Sequence, residues 1–180
     1  MNPTNEQKLI ILMLADIADK LGADTHFDPK LVAKAISHDS AWMLPFKYDM
    51  VLTGAETPPN VSFVINVLDM FEFLERAVEA LPEASQAEVA VAPGGFASKF
   101  TGFDGNNEGE HMSIASHLIH DLDLFEEFAG RDLNSHIPHV ECYSRMYAAF
   151  ERIRPNLVGR ELNQAEVLSI VAEAVHPDRR

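Results

Sequence analysis

The chain has 180 residues, 47% of them hydrophobic, with 14 basic and 28 acidic side chains and a formal net charge of −14. That length and apolar fraction predict one folded domain and exclude a disordered chain. The negative balance argues against a phosphate-tracking nucleic-acid binder and against docking on an anionic membrane, because both need an excess of Lys and Arg.

The first predicted element is a helix over 4–21. Thr4 and Gln7 have capping-box spacing, which satisfies two of the unpaired N–H groups at a helix start. Ile10, Met13, Leu14, Ile17 and Leu21 follow helical spacing, and Gly22 stands where a C′ glycine belongs. Leu9, Ile11 and Leu12 widen the stripe, so this helix is expected to be covered on more than one side. Its apolar run, Leu9 to Ala15, is too short for a membrane span and poorly flanked for a signal peptide, so a cytoplasmic location is expected. Asp28 and Pro29 read as an N-cap followed by proline at N1, opening a helix through Leu31, Val32, Ala35 and Ile36. Residues 39–53 predict one or two short helices broken near Pro45.

After the boundary at Thr57-Pro58-Pro59-Asn60, with Asn60 as N-cap, comes the longest regular segment, to Leu81. Val64, Val67, Leu68, Phe71, Leu74, Val78 and Leu81 mark one apolar face, and Phe63, Met70 and Phe73 extend it. Such a helix is either central to the domain or part of a subunit interface. Pro82 ends it. Residues 82–106 predict a loop, with one helical turn around Ser85 to Val89. A helix is expected from Asn107 to Ala129 with Gly130 at C′, and another from near Pro138 to just before Pro155. The last begins at Asn163 with Glu166 at N3, and Leu162 and Val167 are placed for a hydrophobic staple. The pattern as a whole predicts an all-α, multihelical single domain of about five to seven helices with short connections. A short tail, His176 to Arg180, follows.

Charge is unevenly spread. Residues 1–65 sum to −3, residues 66–130 to −11, and residues 131–180 balance at zero with Arg as their only strong base. In a homo-oligomer these stretches could form complementary surfaces; otherwise they are solvated faces.

Three constellations could carry chemistry. Asp104-Gly105-Asn106-Asn107-Glu108-Gly109 resembles a calcium loop at its first six positions, but position 12 is Ala115 where a bidentate carboxylate is required. Capping of the next helix by Asn106 or Asn107, with Glu108 and Glu110 in its first turn, accounts for the same residues. With Phe100 and Phe103 beside them, Phe100, Phe103, Asp104, Asn106, Asn107 and Glu108 form a candidate binding segment, expected as a structured loop packed on the core. His117, His120 and Asp121 share one helix face at metal-ligand spacing, yet no partner helix motif completes a ligand set, so no metal or other cofactor is assigned. Cys142, the only cysteine, has His139 three residues before it, and reads as a small buried hydrophobe more readily than as a nucleophile.

At four places the residues resemble the YfbU family. These are Thr4-Asn5-Glu6-Gln7-Lys8-Leu9-Ile10, the string from Phe100-Thr101-Gly102-Phe103-Asp104 to Asn106-Asn107-Glu108, the set Asn134, Pro138, Tyr143, Arg145 and Met146, and Leu162 with Glu166. The resemblance implies an all-α fold in a small cytoplasmic protein that self-associates, and it supplies no catalytic residue. The functional expectation is therefore a non-enzymatic helical interaction or regulatory module, forming a homodimer or higher oligomer through helices 60–81 and 4–21. Two alternatives stand beside it. One is a metal-dependent enzyme using the histidines and carboxylate of helix 107–129. The other is a nucleic-acid-linked regulator acting through Arg145, Arg152, Arg154 and Arg160.

Overall fold

The computed structural model describes residues 3–54 and 56–179, so Arg180 at the end of the tail lies outside the described residues. Eight α-helices account for the architecture among them: α1 Asn5–Leu21, α2 Pro29–Ser37, α3 Met43–Lys47, α4 Pro59–Ala80, α5 Glu83–Val91, α6 Gly109–His120, α7 Val140–Ile153 and α8 Gln164–Ala172. The fold is all-α. One isolated bridge, between Phe103 and Asn134, is the extent of β pairing among the described residues.

Local signals place most helix ends. Thr4 accepts from the Gln7 N–H while the Gln7 side chain accepts from the Thr4 N–H, and Gly22 closes α1 with φ 59°. Asp28 caps α2 by accepting from the N–H groups of Lys30 and Leu31. Asn163 and Glu166 form the capping box of α8, with Leu162 and Val167 both buried beside it.

Elsewhere the chain departs from expectation. Asn60 is not the cap of α4. The helix opens on Pro58 and Pro59, whose rings fix φ near the helical value without any side-chain bond. Pro45 does not break α3 but sits in its first turn, where no intrahelical N–H bond is lost. Residues 83–91 form the nine-residue α5 instead of a single turn. Its Ala, Glu and Gln content favours helix, but only Val89 is buried, so the apolar periodicity is faint. The helix expected over 107–129 stops at His120. Leu122 and Leu124 donate back to the carbonyls of His117 and Leu118, and Asp123 takes the left-handed conformation with φ 54°. A short 3₁₀ turn, Glu126–Phe128, then buries Phe128, so apolar spacing continues where the helix does not. Neither Asn106 nor Asn107 caps α6; Glu108 holds that position and its side chain points elsewhere.

α4 is the central element. Val64, Val67, Leu68, Met70, Phe71 and Leu74 are fully buried, and α5, α6, α7 and α8 all pack against it. Of the two alternatives for this helix, a central place or a subunit interface, the first holds: its apolar face is the core of the protein. α1 is the opposite case, packing almost wholly on α2.

Two glycines let the chain approach other backbone segments closely. At Gly94, with φ 80°, a Cβ would meet the Val171 carbonyl oxygen at 1.8 Å. At Gly102, with φ 89°, it would meet the Leu133 carbonyl oxygen at 2.0 Å. Neither neighbour can yield, because both are backbone. Gly102→Ala is expected to lower stability by about 3 kcal/mol, combining left-handed strain with loss of the Phe103–Leu133 approach. A denaturation midpoint equal to wild type would refute that account.

Candidate functional site

The Phe100–Glu108 segment is a built structure, anchored at each end by a carboxylate. At its start, Glu75 of α4 accepts from the Phe100 N–H at 2.8 Å and receives both terminal nitrogens of Arg131 at 2.9 Å. The Arg131 guanidinium also lies 4.8 Å over the Phe128 ring. A fork-to-fork pair with an added backbone donor meets the requirement that a buried charge be paired and hydrogen-bonded. The pair fixes the loop, α4 and the segment after α6 to one another.

At its end, the buried Glu108 carboxylate accepts from the N–H groups of His139 at 2.8 Å and Val140 at 2.7 Å. It also accepts from the Asp104 N–H at 3.1 Å. Glu108 thus caps α7 from 31 residues away. His139, at the N-cap of α7, makes no side-chain cap bond, so the unpaired donors of that helix start need an acceptor from elsewhere. The carboxylate supplies both acceptor and negative charge at the positive end of the helix.

Between the anchors the loop is held by its own polar groups. Phe103 donates to the Leu133 carbonyl at 3.0 Å and accepts from Ser135 at 3.1 Å. Asn134 accepts from Gly105 and His136, each at 3.0 Å. Asp104 accepts from the Asn106 N–H at 3.0 Å and from the Asn107 side-chain amide. The Asn107 amide and the Asn106 N–H hold the Asp104 carboxyl below the ordinary carboxylate range. Phe100 and Phe103 enter the core among Phe71, Phe128 and Tyr143, with ring centroids 5.4–5.9 Å apart. Tyr143 is stacked under His139 at 4.9 Å, and its hydroxyl lies 3.2 Å from the Thr101 hydroxyl. Burial pushes the Tyr143 phenol up to about 12 and the His139 imidazole below its ordinary value, against a smaller opposing pull from Glu108 on the histidine.

Of the six candidate residues, Phe100, Phe103, Asp104 and Glu108 are buried, while Asn106 and Asn107 are at the surface. The polar atoms of the buried pair are committed to the protein's own donors. Position 12 of the calcium-like loop, Ala115, is fully buried, so the sphere has no closing ligand there.

The histidine helix is arranged differently. His117 is buried, its Nδ1 2.8 Å from Asp121, and Lys34 of α2 reaches the other Asp121 oxygen at 2.6 Å. Burial pushes the Asp121 carboxyl up, but the bonds from His117 and Lys34 outweigh it and hold the group below its ordinary range. Ser113 lies 3.4 Å from the other His117 nitrogen, completing a Ser–His–Asp line along one helix. Through Lys34 this line joins α2 to α6. His120 points to solvent. Among the described residues, no group of three or more His, Cys, Asp or Glu is placed to hold a metal ion.

Cys142 is half-buried, its sulfur 3.8 Å from the Ala174 carbonyl, and burial pushes its thiol up and away from the reactive thiolate. Three of the four named arginines are engaged internally. Arg145 donates to the Glu173 and Ala174 carbonyls, Arg154 pairs with Asp69, and Arg160 grips Glu166 through two nitrogens.

Sequence spacing did not reveal the reach of Glu108 or the Glu75–Arg131 pair. Lack of a capping side chain at the start of α7 is the one signal that could have found the first.

Glu108→Gln, which turns an amide N–H₂ towards backbone donors, is expected to cost about 2 kcal/mol in chemical denaturation while leaving helix content intact. An unchanged midpoint would show that the negative charge is not needed at α7. For His139, the folded value lies below the ordinary 6.5, so the unfolded chain binds the proton more readily. Stability therefore falls as pH drops from about 6.5 through the depressed value. His139→Phe should flatten the change in urea midpoint between pH 7.5 and 5.5, and a slope equal to wild type would assign it to other groups.

Among the described residues, no helix is long and apolar enough to cross a membrane. Comparison with proteins of curated function gives no match. The sequence model of the YfbU domain matches residues 1–173, nearly the whole chain, and includes both anchored ends of the loop. The chain belongs to the YfbU family.

Proposed function

We propose that this protein is a non-enzymatic, self-associating helical module whose contact surface is the outer face of α1. The observation that carries this reading is the exposure of that helix. Leu9, Ile10, Met13, Leu14, Ile17 and Leu21 are each 50–76% exposed, while Ala15 is buried and Ile11, Leu12 and Ala18 are partly covered. α1 thus has two apolar faces, and only one of them is used within the chain. Ile10, Leu14, Ile17 and Leu21 recur at spacings of four, three and four, the seam by which one helix packs along another.

Energetics favour an extended contact there. Removing such partly exposed side chains from water contributes roughly 1 kcal/mol each. A dozen of them, six from each copy, contribute roughly 12 kcal/mol, towards the upper end of an association cost of about 4–15 kcal/mol. Electrostatics favour the same place. The N-terminal third carries little of the net charge, and the Lys8–Asp39 and Lys20–Asp16 pairs neutralise the flanks of α1. Two copies meeting there avoid the acidic middle of the chain. A cytoplasmic setting is consistent with a single cysteine held as a thiol, and no cofactor enters this reading.

Light scattering coupled to size exclusion tests it. Wild type at micromolar concentration is expected to elute as a dimer or higher oligomer. Ile10→Glu combined with Ile17→Glu should weaken association by at least a hundredfold without loss of helical signal. A strictly monomeric wild-type protein would overturn the proposal.

A further inference from the structure

Behind the outer face of α1 lies a cleft of about 370 Å³. Ile11, Leu14 and Ala18 of α1 line it on one side and Val32 of α2 and Leu44 of α3 on the other, with Phe27 also in the lining. No charged side chain lines it. Its two hydroxyls are already engaged with the adjoining loop: Tyr48 accepts from the Asp28 N–H at 2.8 Å, and Thr25 donates to the Phe27 carbonyl. Small residues keep the cleft open, because Ala15 and Ala18 stand where the rest of the α1 stripe carries Leu, Ile or Met.

Protein interiors pack at crystal-like density, and an engineered cavity of about 150 Å³ is enough to hold benzene. This cleft is more than twice that size and within the roughly 300–1,000 Å³ range of small-molecule sites.

We infer that the cleft between α1, α2 and α3 binds a small uncharged lipophile of about 10–15 non-hydrogen atoms, an aliphatic chain or fused rings. Size follows from the volume, and neutrality from a lining that offers no counter-charge. Affinity comes from apolar burial, and the site does not depend on self-association, although Leu14 belongs to both the cleft and the outer seam.

The test uses 1-aminoanthracene, an uncharged fluorescent arene, titrated with the full chain. The expected result is a saturable fluorescence rise with one site per chain, displaced by 1-decanol. Ala18→Phe, and separately Val32→Phe from the opposite wall, fill the cleft and should weaken binding at least tenfold with unchanged far-UV circular dichroism. Two filling variants guard against one that fails to fold. Ile17→Glu lies outside the lining and should retain binding, whatever light scattering shows of its oligomeric state. Absence of a saturable signal, or filling variants that bind like wild type, would overturn the inference. Loss of binding in Ile17→Glu would move the site to the seam. Binding seen only in Ile17→Glu would show that a second copy covers the cleft, and would overturn it equally.

Discussion

Two buried carboxylates hold the C-terminal two-thirds of this protein in place. Glu75 on the central helix binds the first N–H of the Phe100–Glu108 loop and both arms of Arg131; Glu108 at the far end binds the first N–H groups of α7. Between these points the chain inserts two phenylalanines into the core and runs against the Leu133 backbone, an approach that only glycine at position 102 permits. Removing either carboxylate leaves donors buried without acceptors, and an unmatched buried polar group costs more than the bond itself contributes. Loop, α4, α6 and α7 are therefore one unit. The phenylalanines supply burial, and the acids determine where it occurs.

The same acids change the meaning of the net charge. Residues 66–130 carry most of the −14, which suggests a strongly repelling surface. Yet Glu75, Asp104 and Glu108 are all inside, and each is matched by donors from the same chain. Part of the acidity is thus structural: Arg131 neutralises Glu75, and N–H dipoles take the place of water around Asp104 and Glu108. Arg145, Arg154 and Arg160 are likewise engaged within the chain, through the carbonyls at the end of α8, Asp69 and Glu166. A count of charges along the chain overstates the contrast between surfaces, because charge that organises the interior is counted with charge that faces water.

Legibility followed range. Where the determinant is local, as in the Thr4–Gln7 and Asn163–Glu166 capping boxes, Asp28 before Pro29, or Gly22 after Leu21, sequence and structure agree. The apolar breadth of α4 was also visible, but periodicity does not distinguish a core helix from an interface helix; its neighbours decide that. α6 is the instructive failure. Leu122 and Phe125 continue the spacing beyond its end, but Asp123 turns left-handed and the chain leaves the helix before Arg131 meets Glu75. At the candidate site, the aromatic and acidic residues were recognisable as a group. Their roles were not, since the partners of Glu108 lie 31 residues on and no local rule points to them.

The N-terminal third obeys a different economy. α1 rests almost wholly on α2, with a cleft beneath it and an uncovered apolar seam above. It has no counterpart of the Glu75 or Glu108 anchors; its ion pairs to Asp39 and its own Asp16 lie at the surface, where such pairs contribute little. Elements with few buried contacts open at lower free energy than the core, and whatever binds only their closed form stabilises them. A partner on the seam and a lipophile in the cleft would both bind the closed α1, on opposite sides of Leu14.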